Sequence, residues 1–317
     1  MSDDILGEMR RAAEYLNRSA EPDHGCGCHL NGRSRHCRTF AQSHPEIPEY
    51  SVHDLVRIGQ SKKKLGELVT RKLYTLDAVP GDFALGEAQT LQVQVYKSGR
   101  PLIDKAAINA ALGEYTFPLY FLDYETYAPA IPAFDGYSPY RRIPFQFSLH
   151  VLRTTEGEPE HIEYLCPERS DPAQAVAELL DRHIEPMGTV VVWHAPFERG
   201  VNKEIGDRLP SYAARMEAIN GQVKDLRDIF SKQHYVHPEF RGSTSIKSVM
   251  PVLVPELSYD HLAIQDGTSA SEQWWEMTAP NTGGVERKKI AQDLRDYCGQ
   301  DSYAMYAIWR HLTNLCQ

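Results

Sequence analysis

Leu119-Tyr-Phe-Leu-Asp-Tyr-Glu125 is an apolar run that ends in two carboxylates, with Pro118 before it and Pro129 beyond. A run of this length between breakers reads as a buried strand. Residues two apart on a strand share a face, so Asp123 and Glu125 leave the sheet on one side. Like charges held that close repel unless a cation lies between them. Hard divalent ions such as magnesium or manganese select oxygen ligands of this kind. The same pattern also suits a strand that simply ends at its first acidic residues.

The surrounding chain has an α/β texture. From Phe117 onward, strands are expected at Leu119–Tyr124, Phe145–Leu152, His161–Leu165 and Thr189–Trp193. Helices are expected at Asp171–Ile184, Glu198–Leu209, Tyr212–Ile219, Ile246–Val252 and Arg287–Leu315. That succession predicts a mixed sheet flanked by helices. Ala128–Ile143 reads as a long loop over the sheet edge, and Asp266–Gly284 as irregular. Residues 1–115 form a small helical module. It has a helix over 1–20, a Cys/His/Gly-rich loop over 21–47, and two or three short helices over 51–90. Ser51 is a cap, and Lys62–Lys64 a basic knuckle between helices. A weak alternation covers Leu91–Tyr96, and a helix Asp104–Leu112. The expected domains are therefore 1–115 and 116–317.

The 317 residues suffice for a sizeable core, and 42% hydrophobic with 24% charged residues is an ordinary globular balance. No apolar stretch is long enough for a membrane span, and the charged N-terminus lacks a signal-peptide core, so a cytoplasmic location is the default. A net charge of −9 argues against a bulk nucleic-acid binder. A metal centre with local basic patches still allows a nuclease.

Two further segments carry acids. The strand Thr189-Val-Val-Val-Trp-His-Ala195 is followed by Pro-Phe-Glu198 at a helix start, where the helix dipole alone would favour Glu. In Tyr297-Cys-Gly-Gln-Asp301, Tyr297 and Asp301 share one helical face, continued by Met305, Ile308 and Leu312. A carboxylate beside such a stripe needs a partner or a metal.

In this order, the motifs resemble the DnaQ-like, or DEDD, 3′→5′ exonucleases on the ribonuclease H-like fold, in the branch with tyrosine. The resemblance covers roughly residues 117–317. Asp123 and Glu125 match the first motif, and Tyr297 and Asp301 the third. His194-Ala-Pro-Phe-Glu198 stands where the family usually has Asn-x-x-Phe-Asp. Glu198 departs from the expected Asp, and Asp225 is the alternative fourth acid. The strings Phe121-Leu-Asp-Tyr-Glu-Thr126, Ile143-Pro-Phe-Gln-Phe-Ser-Leu-His150, Gly242-Ser-Thr-Ser-Ile-Lys247 and Leu294-Arg-Asp-Tyr-Cys-Gly-Gln-Asp301 also resemble a largely uncharacterised bacterial family. Its members join a RecB-like, iron–sulfur-containing nuclease region to an exonuclease-like domain, of which this chain would hold the tail of the first and all of the second.

The resemblance implies a metal-dependent nuclease acting on single-stranded DNA or RNA through two Mg2+ or Mn2+ ions. Asp123 would bridge the ions, Glu125, Glu198 and Asp301 would complete their ligands, and Tyr297 would orient the attacking water. Lys247 and Arg241, in a Gly/Ser-rich loop before a helix, would meet a phosphate, and Tyr140 and Arg141–Arg142 an unstacked base or phosphate. Solvated basic loops and a packed Pro/Tyr loop are the plainer readings. An inactive nucleic-acid-binding module on the same fold is the alternative.

Cys26, Cys28 and Cys37 crowd one loop with His29 and His36. Three thiolates and an imidazole suit structural zinc. The resemblance instead implies the last ligands of an iron–sulfur cluster. Free thiols are the third reading.

Overall fold

The computed structural model describes residues 3–18 and 26–317. Residues 19 and 20 of the expected first helix, and 21–25 of the Cys-rich loop, lie outside the described residues. The chain forms two compact units, Met1–Lys97 and Ser98–Gln317. Residues 98–115, grouped by the sequence with the helical module, therefore lie with the second unit. No described helix is long and apolar enough to cross a membrane.

In the first unit, α1 spans Asp3–Leu16, α2 Lys62–Thr70 and α3 Glu87–Ser98. Val52, Leu55, Ile58, Leu65, Leu68 and Val93 share one core. Ser51 does act as a cap, in a reciprocal capping box with Asp54 over a short 3-10 turn, and Arg33 pairs with Asp54 at 2.8 Å. Lys62–Lys64 open α2 rather than sitting between helices. The alternation over Leu91–Tyr96 is helix, not strand. The buried face of α3 carries Gln89 and Gln92, whose amides bond the backbone of Val56 and Asp54. Those glutamines occupy core positions and disguise the helical period.

The second unit is a five-stranded mixed sheet flanked by helices. Its strands are β1 Leu119–Tyr127, β2 Ile143–Leu152, β3 Glu160–Leu165, β4 Thr189–Val192 and β5 Val223–Asp225. Their spatial order is β3-β2-β1-β4-β5, with β1–β2 and β2–β3 antiparallel and β1–β4 and β4–β5 parallel. Three-residue β5 is too short for a periodic signal. Gly188, at a φ of 100°, lets the chain enter β4 hard against Pro118, where a Cβ would run into the carbonyl.

The helices are α4 Lys105–Leu112, α5 Ala173–His183, α6 Ala195–Arg208, α7 Ala213–Gln222, α8 Ile246–Leu253, α9 Gly267–Met277 and α10 Gly284–Cys316. One sheet face packs Tyr120, Leu122 and Tyr124 against Val176, Leu180, Val201 and Ile219 of α5–α7. The other packs Leu119 and Phe121 against α10, together with α8 and α9. Helix α9 replaces the irregular segment expected over Asp266–Gly284. Asp266 caps it by accepting from the Ser269 amide, and Ala270, Trp274 and Met277 are buried at helical spacing. Trp274 also donates its indole N–H to the Cys166 carbonyl at 3.0 Å. The opening Gly-Thr-Ser conceals the helix from a pattern reading.

Candidate metal centre

Strand β1 alternates cleanly, so Asp123 and Glu125 follow Leu119 and Phe121 onto the face that α10 covers. On α10, Leu294 and Met305 press on the sheet and bring Asp301 down to the same place. The result is a group of three carboxylates, Asp123, Glu125 and Asp301, with ligand oxygens within 4.8 Å of one another. Glu125 and Asp301 are buried.

Burial raises all three pKa values, and the neighbouring carboxylates raise those of Asp123 and Glu125 further. Burial first, then the charges of Asp301, Glu125 and Glu198, push Asp123 well above the usual carboxylate range. Burial and the Asp301 charge push Glu125 up to about 8, and burial pushes Asp301 up to about 6. Three interior carboxyls that cannot all ionise in one place are what a cation relieves.

Other groups close around them. The Tyr259 hydroxyl donates to Asp301 Oδ1. The Cys298 thiol donates to Asp123 Oδ2 at 3.6 Å. Lys247, in the first turn of α8, donates from Nζ to the Tyr297 hydroxyl at 3.1 Å and to the Gln265 carbonyl. Its ammonium lies 5.0 Å from the Tyr297 ring centroid, and its charge lowers the pKa values of Glu125 and Asp301. Gly267, opening α9, faces Glu125 so closely that a Cβ would stand 3.4 Å from its Oε2. Lys247 thus belongs to the carboxylate centre itself. Tyr259 was missed, since a lone tyrosine in the loop before α9 carries no motif. Cys298 was visible only as a letter inside the Tyr297–Asp301 string.

Glu198 stands one step away. It is buried in the first turn of α6, and burial raises its pKa to about 8. Its charge reaches Asp123, yet it is not a member of the close group. Asp225 is occupied otherwise, accepting from the amides of Ala195 at 2.9 Å and Arg227 at 3.1 Å. Among the described residues, two buried acceptors near these elements lack a donor, Glu198 Oε2 and Gln146 Oε1. Gln146 pairs with Glu125 across β1 and β2. Orphaned oxygens beside clustered carboxylates fit a hydrated hard cation, which Asp123, Glu125 and Asp301 would hold.

The remaining expected contacts lie elsewhere. Arg142 binds Glu204 at 2.6 Å, and Arg141 binds the Glu204 carbonyl and Asp207. Tyr140 is exposed on the β1–β2 loop at a φ of 60°. Arg241 takes a left-handed φ of 50° after the Pro238–Phe240 turn. The two arginines at 141 and 142 anchor α6, so their charge is largely spent on the fold.

In the first unit, Cys26, Cys28 and Cys37 place their sulfurs within 4.8 Å of one another. The histidines do not join them. His29 and His44 both bond the Cys26 carbonyl at 2.9 Å, His53 the His29 carbonyl at 2.8 Å, and His36 the Asn31 carbonyl at 2.9 Å. These imidazoles support the loop backbone, leaving a donor set of three thiols, which suits a soft ion.

Residues 120–245 match a family described as a domain of unknown function (DUF2779). That span contains Asp123, Glu125, Glu198 and Asp225 and stops short of Lys247 and α10. The chain is 25% identical over 287 residues to "Uncharacterized protein UU173" of Ureaplasma parvum, covering 82% of this chain and 40% of that protein. It is 26% identical over 207 residues to "Uncharacterized protein MG366 homolog" of Mycoplasma pneumoniae, covering 59% and 31% respectively. The chain therefore spans well under half the length of these relatives. No solved structure matches it significantly.

Proposed function

We propose that the second unit is a divalent-cation-dependent nuclease of ribonuclease H-like, DnaQ-like architecture, releasing nucleotides 3′→5′ from single-stranded nucleic acid. The observation that carries this reading is the meeting of Asp123, Glu125 and Asp301 within 4.8 Å. They come from a strand and a helix far apart in sequence, in the order of the exonuclease motifs. Magnesium or manganese, as one ion or two, would acidify a bound water and neutralise charge on the reacting phosphate.

The chain's own groups supply the rest. Lys247 donates to the Tyr297 oxygen, so the phenolic proton is free to point at an attacking water or at Asp301. With two N–H groups spent on Tyr297 and Gln265, Lys247 keeps one donor for a phosphate oxygen. Burial keeps the Tyr297 phenol protonated, so it orients water rather than accepting its proton. Hydrolysis forms a water oxygen–phosphorus bond, breaks the bond to the ribose oxygen, and returns a proton to that oxygen. The Cys26/Cys28/Cys37 group, as zinc or iron–sulfur ligands, would serve structure alone.

Glu198, outside the close group, favours a second reading: a nucleic-acid-binding module of the same fold with little turnover. Digestion of 5′- and 3′-labelled single strands of DNA and RNA with manganese separates the two. Stepwise shortening from the 3′ end, lost in a folded Asp123→Asn variant, supports the nuclease. Tight binding with intact strands supports the module.

A further inference from the structure

Two tyrosines stand at the carboxylate centre, and the proposed chemistry uses one of them. Tyr297 lies one turn before Asp301 on α10. Tyr259 comes from the loop 254–266 between α8 and α9 and is buried. The two rings lie 6.5 Å apart at 60°, and the Lys247 ammonium is 5.5 Å from the Tyr259 ring centroid and 5.0 Å from that of Tyr297. The Tyr259 hydroxyl donates to Asp301 Oδ1.

Pinning the loop is the plainer role for a buried phenol, which needs an acceptor. Other bonds already pin it. Gln300 gives a side-chain amide N–H to the Ser258 carbonyl at 2.9 Å, and the Leu262 amide donates to the Tyr259 carbonyl at 3.0 Å. Further along, Lys247 holds the Gln265 carbonyl. The backbone around Tyr259 is therefore fixed without the phenol, and the hydroxyl is spent on a carboxylate of the centre.

What the phenol adds is direction. The last torsion of an aspartate is broad and roughly two-fold, so a carboxyl without a partner turns. An O–H donor on Oδ1 stops that turn and settles where the remaining lone pairs point. The partner of Asp123, the Cys298 thiol at 3.6 Å, is a weak donor by comparison. Burial and the charges of Asp301 and Asp123 hold the Tyr259 phenol protonated, so it acts as a donor rather than as a ligand.

We propose that Tyr259 is a positioning residue that aims Asp301 at the cation and thereby sets the cation affinity of the centre, a role separate from that of Tyr297 on the attacking water. The proposal rests on the hard-cation reading of the centre. Hydrogen-bond partners behind metal-binding side chains typically govern affinity or activity by about ten- to a hundredfold.

The test is a manganese titration of the full chain without nucleic acid, followed by manganese resonance, in the wild type, Tyr259→Phe, Tyr297→Phe and Gln300→Leu. Tyr259→Phe should weaken manganese binding about ten- to a hundredfold, while Tyr297→Phe and Gln300→Leu leave it little changed. In cleavage assays, saturating manganese should restore most of the turnover of Tyr259→Phe and none of that lost in Tyr297→Phe. Unchanged or tighter manganese binding in Tyr259→Phe would overturn the proposal while leaving the cation reading intact. An equal loss in Gln300→Leu, or loss of cooperative melting of Tyr259→Phe in EDTA, would also overturn it and make the bond a support of the loop. A wild-type chain that binds no manganese would overturn the proposal and the cation reading together.

Discussion

At the scale of single residues, the carboxylates of the centre destabilise the fold that holds them. Glu125 at about 8 and Asp301 at about 6 have native values above the roughly 4 of an unfolded chain. Between those limits the native state binds protons that the unfolded state has lost, so stability falls as pH rises from about 4 towards 8. In EDTA, melting temperature should decline across that window, and Asp123→Asn should flatten the decline by removing one charge. Manganese should restore more stability at pH 8 than at pH 6, where protons compete for the same oxygens. Differential scanning calorimetry at several pH values reads both effects, and a pH-independent manganese effect would contradict them. Lys247 works in the opposite sense, holding the pKa values of Glu125 and Asp301 down. Lys247→Met should therefore move the acid limb of the pH–rate profile to higher pH. Tyr297→Phe should lower turnover about a hundredfold or more through lost orientation of water, with cation affinity, followed by manganese resonance, little changed.

At the scale of elements, the site depends on how β1, α9 and α10 are held together. Trp274 is fully buried, stacks on Phe145 at 4.8 Å and bonds the Cys166 carbonyl. Trp274→Ala should cost about 3–5 kcal/mol in urea unfolding and loosen the packing of α9 on the sheet. Gly188→Ala should cost about 1–3 kcal/mol, since the new Cβ meets Pro118 in a left-handed backbone. A smaller loss than that of an ordinary surface alanine would show that the β4 entry has room to move. The elements that strong periodicity marks were legible in the sequence: the four long strands, α5–α8 and α10 all lie within a few residues of expectation. Helices α3 and α9 were obscured for different reasons. In α3, Gln89 and Gln92 occupy core positions because their amides bond the backbone of Val56 and Asp54; in α9, the opening Gly-Thr-Ser hides an apolar spacing of Ala270, Trp274 and Met277. Within the centre, Asp123, Glu125 and Asp301 could be read from spacing on a strand and a helix. Tyr259 could not, because its place is set by the path of a loop. The histidines of the Cys-rich loop read as ligands in one dimension and proved to be backbone supports.

At the scale of the molecule, the two units carry separate clusters of metal-binding character: thiols in the first, carboxylates in the second. Soft and hard ions should sort between them by ligand chemistry. Replacing Cys26, Cys28 and Cys37 together by Ser should abolish zinc or iron content by elemental analysis while leaving manganese-dependent cleavage within about threefold, the usual context-dependent spread of such effects. The central claim is that Asp123, Glu125 and Asp301 form a hard-cation centre, and anomalous diffraction from manganese-soaked crystals addresses it most directly. A manganese peak is expected at about 2.0–2.3 Å from oxygens of all three carboxylates, absent in Asp123→Asn crystals soaked alike. Full manganese occupancy elsewhere with none among these three side chains would contradict it.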